Sequence, residues 1–183
     1  MREEKYLEKA EENVKNKYHD AAEFIEKREF DDAEKLLLEI KNEQPGFVPL
    51  YNKWGIIYIH MKEYDKAKTI LHQAIQLDKT YAPAITNLGS VLREEGNLRK
   101  AKELYKKAIE VDPEYGLAYN NLGVIYREEG NYSQSVKNLK KARKYGNYHV
   151  DLSSDKPFYK EPGCLFVLGI VTIIVLLIFF ILK

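Results

Sequence analysis

Residues 84–108 read AITNLGSVLREEGNLRKAKELYKKA, and residues 118–142 read AYNNLGVIYREEGNYSQSVKNLKKA. An offset of 34 residues places Asn87-Leu88-Gly89 on Asn121-Leu122-Gly123, Ala101 on Ser135 and Ala108 on Ala142. A fixed period of this size is the mark of a repeat architecture, so it is settled before any single element. One period earlier, Trp54-Gly55, Tyr58, Ala67, Leu71 and Ala74 fall in the matching places, and one earlier still Ala21, Phe24, Ala33, Leu37, Ile40 and Pro45. Four units follow, at 14–47, 48–81, 82–115 and 116–149.

Within a unit the apolar residues keep helical spacing twice, with a break between. In the third, Ile85, Leu88 and Leu92 lie at i, i+3 and i+7, and Leu104, Ala108 and Val111 at i, i+4 and i+7. Between them stands Glu-Glu-Gly-Asn. Gly96 can take the positive φ of a helix C-terminal cap, and Asn97 can cap the next helix. Gly89 and Ala101 let the paired helices approach closely, and Pro113 helps to end the second. Each unit therefore reads as a helical hairpin, and hairpins that cannot bury their apolar faces alone must stack into an array. Leu7, Ala10 and Val14 carry the stripe back from Ala21, so residues 1–13 read as an extension of the first helix, beginning near Glu3.

These residues resemble the tetratricopeptide repeat family over 14–149. The third unit matches its pattern with Ile85, Leu88-Gly89, Leu92, Ala101, Tyr105, Ala108 and Pro113. Other units depart: Asp20-Ala21 replaces Leu-Gly, Lys79 replaces Pro, and Ser135 and Asn147 differ in the last. The resemblance implies an all-α fold, a right-handed superhelical solenoid of about four hairpins. It also implies a concave face lined by the first helix of each unit. That ladder would hold Asn52, Ile56, Ile59 and His60 in the second unit; Thr86, Asn87, Ser90 and Arg93 in the third, with Glu94; and Asn120, Asn121, Val124 and Arg127 in the fourth, with Glu128. Asn87 and Asn121 suit a peptide backbone because an amide both donates and accepts, and the two arginines suit carboxylates. The carboxylate clamp of chaperone-binding relatives needs two basic residues where this chain has Leu117 and Asn121, or one unit earlier Pro83 and Asn87. A chaperone-tail receptor is therefore not expected.

Composition divides the chain sharply. Residues 163–182, GCLFVLGIVTIIVLLIFFIL, hold no charge, and from Leu165 to Leu182 all but Gly169 and Thr172 are Leu, Ile, Val or Phe. As a helix this run would be roughly 30 Å long, the thickness of a bilayer's hydrocarbon core. Residues 163–183 are accordingly expected to be a transmembrane tail anchor joined by a linker at 150–162. The N-terminal stretch MREEKYLEKAEENVKNK lacks the apolar core of a signal peptide, so the repeats are expected to stay cytoplasmic, at a bacterial cytoplasmic membrane. Tyr148, Val150, Leu152, Phe158 and Tyr159 are expected to fold back over the last hairpin, the alternative being that this face is left for a partner.

The 183 residues carry 29 Lys and Arg against 28 Asp and Glu, a net charge of +1, so bulk charge names no partner and nucleic acid is not expected. The distribution is bipolar: residues 1–47 hold 9 basic and 14 acidic side chains, and 48–150 hold 17 and 11. Lys137, Lys140, Lys141 and Lys144 form a stripe at i, i+3, i+4 and i+7 that is expected to be a solvated outer face, the alternative being contact with a membrane surface. The single cysteine excludes an internal disulfide. His19, His60, His72 and His149 are scattered, without metal-ligand or nucleophile–base pairing, so no enzyme activity, cofactor, metal or small-molecule substrate is expected. The expected role is a scaffold that recruits a protein partner, a peptide or helix, to the bilayer. The alternatives are a structural subunit of a membrane complex and a membrane-shaping tail-anchored adaptor.

Overall fold

The computed structural model describes residues 2–146, an all-helical array. A short helix, α1 (Arg2–Leu7), precedes four hairpins: α2 (Glu12–Lys27) with α3 (Phe30–Glu43), α4 (Val48–His60) with α5 (Tyr64–Leu77), α6 (Ala82–Glu94) with α7 (Leu98–Val111), and α8 (Gly116–Glu128) with α9 (Tyr132–Tyr145). The linker, the apolar run at 163–183 and the fold-back residues lie outside the described residues. Among the described residues no helix is long and apolar enough to cross a membrane.

Every hairpin turns in the same way. The residue at the turn donates its N–H three residues back and its successor donates five residues back: Gly96 to Arg93 and Asn97 to Leu92, Gly130 to Arg127 and Asn131 to Tyr126. This 6→1 and 5→2 closure satisfies carbonyls that the helix end would leave bare. The closure requires a left-handed residue, and Gly96 (φ 80°) and Gly130 (φ 74°) supply it. Asn97 and Asn131 then accept from Lys100 N–H (3.4 Å) and Gln134 N–H (3.2 Å), capping α7 and α9. Within the third hairpin the absent side chain of Gly89 leaves room for Tyr105, whose Cε1 would stand 2.7 Å from a Cβ there.

Packing between hairpins sets the curvature. The inner helices approach one another in series, α2 to α4, α4 to α6 and α6 to α8, whereas the outer helices α5 and α7 pack on the next inner helix. A row closer on one side than the other bends toward that side, so α2, α4, α6 and α8 form the concave face. The core lies between the rows, with Leu37, Ile40, Leu50, Ile57, Leu71, Ile85, Tyr105 and Ile125 fully enclosed. Burying side chains of this size stabilises the fold by about 1.5–3 kcal/mol each relative to exposure.

The beginning of the chain differs from the expected single helix. The stripe Leu7, Ala10, Val14 is divided, because α1 ends at Leu7 and α2 starts at Glu12. Tertiary contacts account for the break. Tyr6 stands edge-on to Phe47 (6.4 Å) and Tyr81 (5.8 Å), and its hydroxyl donates to Asp78 Oδ2 at 2.6 Å. Lys5 pairs with the same carboxylate at 3.3 Å, and Tyr81 donates to Glu3 at 3.1 Å. These contacts, reaching from about forty to nearly eighty residues along the chain, outweigh the small propensity gain of continuing the helix through Glu8-Lys9-Ala10-Glu11.

Candidate functional site

The concave face is organised by bonds that run across repeats. Asn87 on α6 donates through Nδ2 to Asn52 Oδ1 on α4 at 2.8 Å. Asn121 on α8 donates to Ser90 Oγ at 3.3 Å, which also receives the hydroxyl of Tyr105 at 3.3 Å and itself donates to Thr86 C=O at 3.2 Å. Arg93 Nη2 meets Glu128 Oε1 at 2.9 Å. The inner helices are thus stitched together by side chains that the sequence suggested for a ligand.

Two expected groove residues offer a partner almost no surface. Thr86 is fully enclosed and Asn52 is 3% exposed, because close approach of the inner helices covers this side of each. Ile56, Ile59, Asn87, Ser90, Arg93, Asn120, Asn121 and Val124 are half-buried, and Arg127 is exposed. His60 is also exposed, but it stacks on Phe30 of α3 (5.8 Å between rings, 15° between planes) at the turn end of the array. The face therefore brings together Ile56, Ser90 and Val124 at one level and Ile59, Arg93 and Arg127 at the next, and leaves His60 to one side.

A second set of lateral contacts joins the outer helices α5 and α7 to the following turn. Lys68 meets Glu95 at 2.6 Å, and Lys102 meets Glu129 at 2.5 Å, the same contact repeated one unit on. Sequence reading did not single these out, although the recurrence of Lys and Glu 27 residues apart in two successive units was a signal. Asp78 was also missed. Burial of its carboxyl would raise its proton affinity, but the bonds from Tyr6, Thr80 and Lys5 prevail and hold it well below the usual carboxylate range. Burial pushes the Tyr105 hydroxyl up, so it remains a neutral donor to Ser90 at neutral pH.

The lysine stripe of α9 is split by the fold. Lys137 and Lys141 line a cleft of about 320 Å³ between α7 and α9, floored by α8, and Lys141 Nζ sits 5.0 Å from the centre of the Tyr119 ring. Lys144 turns instead to its neighbour Tyr145, 4.9 Å from that ring centre, and Lys140 is exposed on the same helix without lining the cleft. Among the described residues no group of three or more His, Cys, Asp or Glu is placed to share a metal ion.

Comparison with known proteins agrees with this architecture. The family model described as tetratricopeptide repeat matches residues 48–114 and 81–145, together more than half of the chain. No curated protein matches in sequence. Among solved structures, a crystal structure of MamA is 27% identical with a TM-score of 0.58, covering 78% of this chain and 84% of that one. Another crystal structure of MamA is 25% identical, TM-score 0.56, covering 82% and 80%. PilF of Pseudomonas aeruginosa has a TM-score of 0.61 at 18% identity, a likeness of fold alone, covering 73% of this chain and 61% of PilF.

Proposed function

The chain belongs to the tetratricopeptide repeat family, and on that premise we propose that it is a membrane-tethered adaptor. Its concave face holds a peptide or helix of a protein partner, and the apolar run at 163–182 fixes the repeats to the cytoplasmic side of a bacterial cytoplasmic membrane. Recruitment or assembly is the mechanism, because tethering raises the partner's local concentration at the bilayer. The role requires no chemistry from the protein itself.

One observation carries the reading. The Asn52–Asn87 and Ser90–Asn121 bonds and the Arg93–Glu128 pair fix the inner helices in register before any partner arrives. A preorganised surface loses less freedom on binding than one ordered by its ligand. What it presents is mixed: Ile56 and Val124 for apolar side chains, Ser90 between them, and Arg127 at the exposed edge for an acidic one.

Photo-crosslinking residues at 56, 90 and 124 are expected to trap one and the same protein in intact cells. The same residues at Leu38 and Leu77, exposed on the outer helices, are expected not to. If the inner positions trap nothing, or no more than the outer ones, the groove reading is wrong. The tether is tested apart from it: the full chain should resist alkaline extraction from membranes, and a chain ending at residue 162 should be released.

A further inference from the structure

The residues that line the cleft between α7 and α9 have equivalents 34 positions earlier in the chain, and the two sets differ in kind. One repeat earlier Leu104 and Ile75 are both partly buried against the same core residues, and the other equivalent positions hold Glu103, Lys107 and His72. In the later one the corresponding residues are Asn138, Lys137, Lys141 and Lys106. Replacing Leu by Asn at a position only 8% exposed takes away the side chain that would fill the seam. The Asn138 amide turns back to its own helix, donating to Gln134 C=O at 2.7 Å.

Charge changes together with shape. The cleft gathers Lys106 from α7 and Lys137 and Lys141 from α9 against one acid, Glu110. Elsewhere in the array the lysines that bridge elements are matched: Lys17 meets Glu39 and Glu43, Lys68 meets Glu95 and Lys102 meets Glu129. Among the described residues none of the three cleft lysines has a carboxylate within ion-pair distance. Three cations therefore line one open recess, mixed polar and apolar, with Tyr119 and Tyr126 in its floor.

We infer that this cleft takes the phosphate of an anionic lipid headgroup. A phosphate ester accepts hydrogen bonds from several ammonium groups at once, and a recess of about 320 Å³ suits one headgroup better than the successive side chains of an acidic peptide. A lipid is favoured as the source by the chain itself and rests on the tether proposed above: only residues 147–162 separate α9 from the apolar run, a contour of at most about 55 Å. A linker of that reach lets the cleft meet the leaflet, and lysines within a Debye length of an anionic surface gain about 1 kcal/mol each. The contact would orient the array with its convex side toward the bilayer and its concave side toward the cytoplasm.

The test uses the full chain reconstituted in phosphatidylcholine vesicles with and without phosphatidylglycerol, with acetylation of each lysine followed by mass spectrometry. Phosphatidylglycerol is expected to slow Lys106, Lys137 and Lys141 by about fivefold while leaving Lys100 and Lys107 unchanged. Asn138→Leu, which refills the seam as Leu104 does one repeat earlier, is expected to abolish the difference with the helical content retained. Equal rates in both vesicles, or equal slowing of Lys140 and Lys144, would refute a defined site. Protection in neutral vesicles by soluble glycerol phosphate at the same concentration, or by polyglutamate where phosphatidylglycerol fails, would refute the lipid as source. A chain that does not float with neutral vesicles would refute the tether, a result separable from the others.

Discussion

The first two hairpins and the last two make the same turn from different residues. In the last two, glycine takes the left-handed position and asparagine caps the helix that follows. In the first two, Arg28 (φ 62°) and Lys62 (φ 60°) hold that position, and Glu29 and Glu63 follow without a side-chain cap. The backbone bonds are nevertheless the same: Arg28 N–H to Ile25 and Glu29 to Phe24, Lys62 to Ile59 and Glu63 to Tyr58. A left-handed residue with a side chain costs about 1–2 kcal/mol. The turn is thus written locally in one half and imposed by packing in the other, where α1 adds its own contacts.

Those contacts are the most sensitive point of the first half. Asp78→Ala removes the acceptor of Tyr6, Lys5 and Thr80 and should lower stability by about 2–3 kcal/mol, read from urea unfolding, with loss of amide exchange protection over residues 3–7. The pH dependence has a definite sign. Because the folded carboxyl lies below its unfolded value of about 3.9, its contribution is complete above that value and is lost as the pH falls through the lower folded one. Protection of α1 that vanished already near neutral pH would contradict this.

Transplanting the first-half turn into the second half should cost less. Gly96→Arg with Asn97→Glu forfeits a permissive residue and a cap, and is expected to destabilise by about 2 kcal/mol. The reverse exchange is smaller and opposite in sign: Arg28→Gly and Lys62→Gly should each stabilise by about 0.5–1 kcal/mol. A loss on introducing glycine would mean that the arginine and lysine side chains themselves hold the first turns. Smallest of all, Lys68→Ala and Lys102→Ala should each cost about 0.5 kcal/mol or less and converge toward zero in high salt, since both pairs are partly exposed.

Much of the array is legible in the sequence because its rules are local. The period, the helical spacing, Gly96 with Asn97 and the crowding of Gly89 against Tyr105 each follow from residues near one another in the chain. The binding face is less legible. The resemblance placed Asn52, Thr86, Asn87 and Asn121 on the inner helices, and they are there, but two are buried and two are engaged in joining repeats. A polar residue on an inner helix has the same appearance in sequence whether it meets a partner or the next repeat. Only the spacing between helices separates these cases.

The sequence by itself determined that this protein is a stack of helical hairpins, because burial of periodic apolar faces leaves hairpins with no other solution. It determined too that an uncharged run of bilayer length follows them. Tertiary structure decided that residues 2–11 form a docked helix and a turn, that the amide ladder is internal, and that Lys106 joins Lys137 and Lys141 around one recess. Those outcomes depend on contacts between residues tens of positions apart, and the period of a repeat fixes which residues are equivalent, not which of them touch.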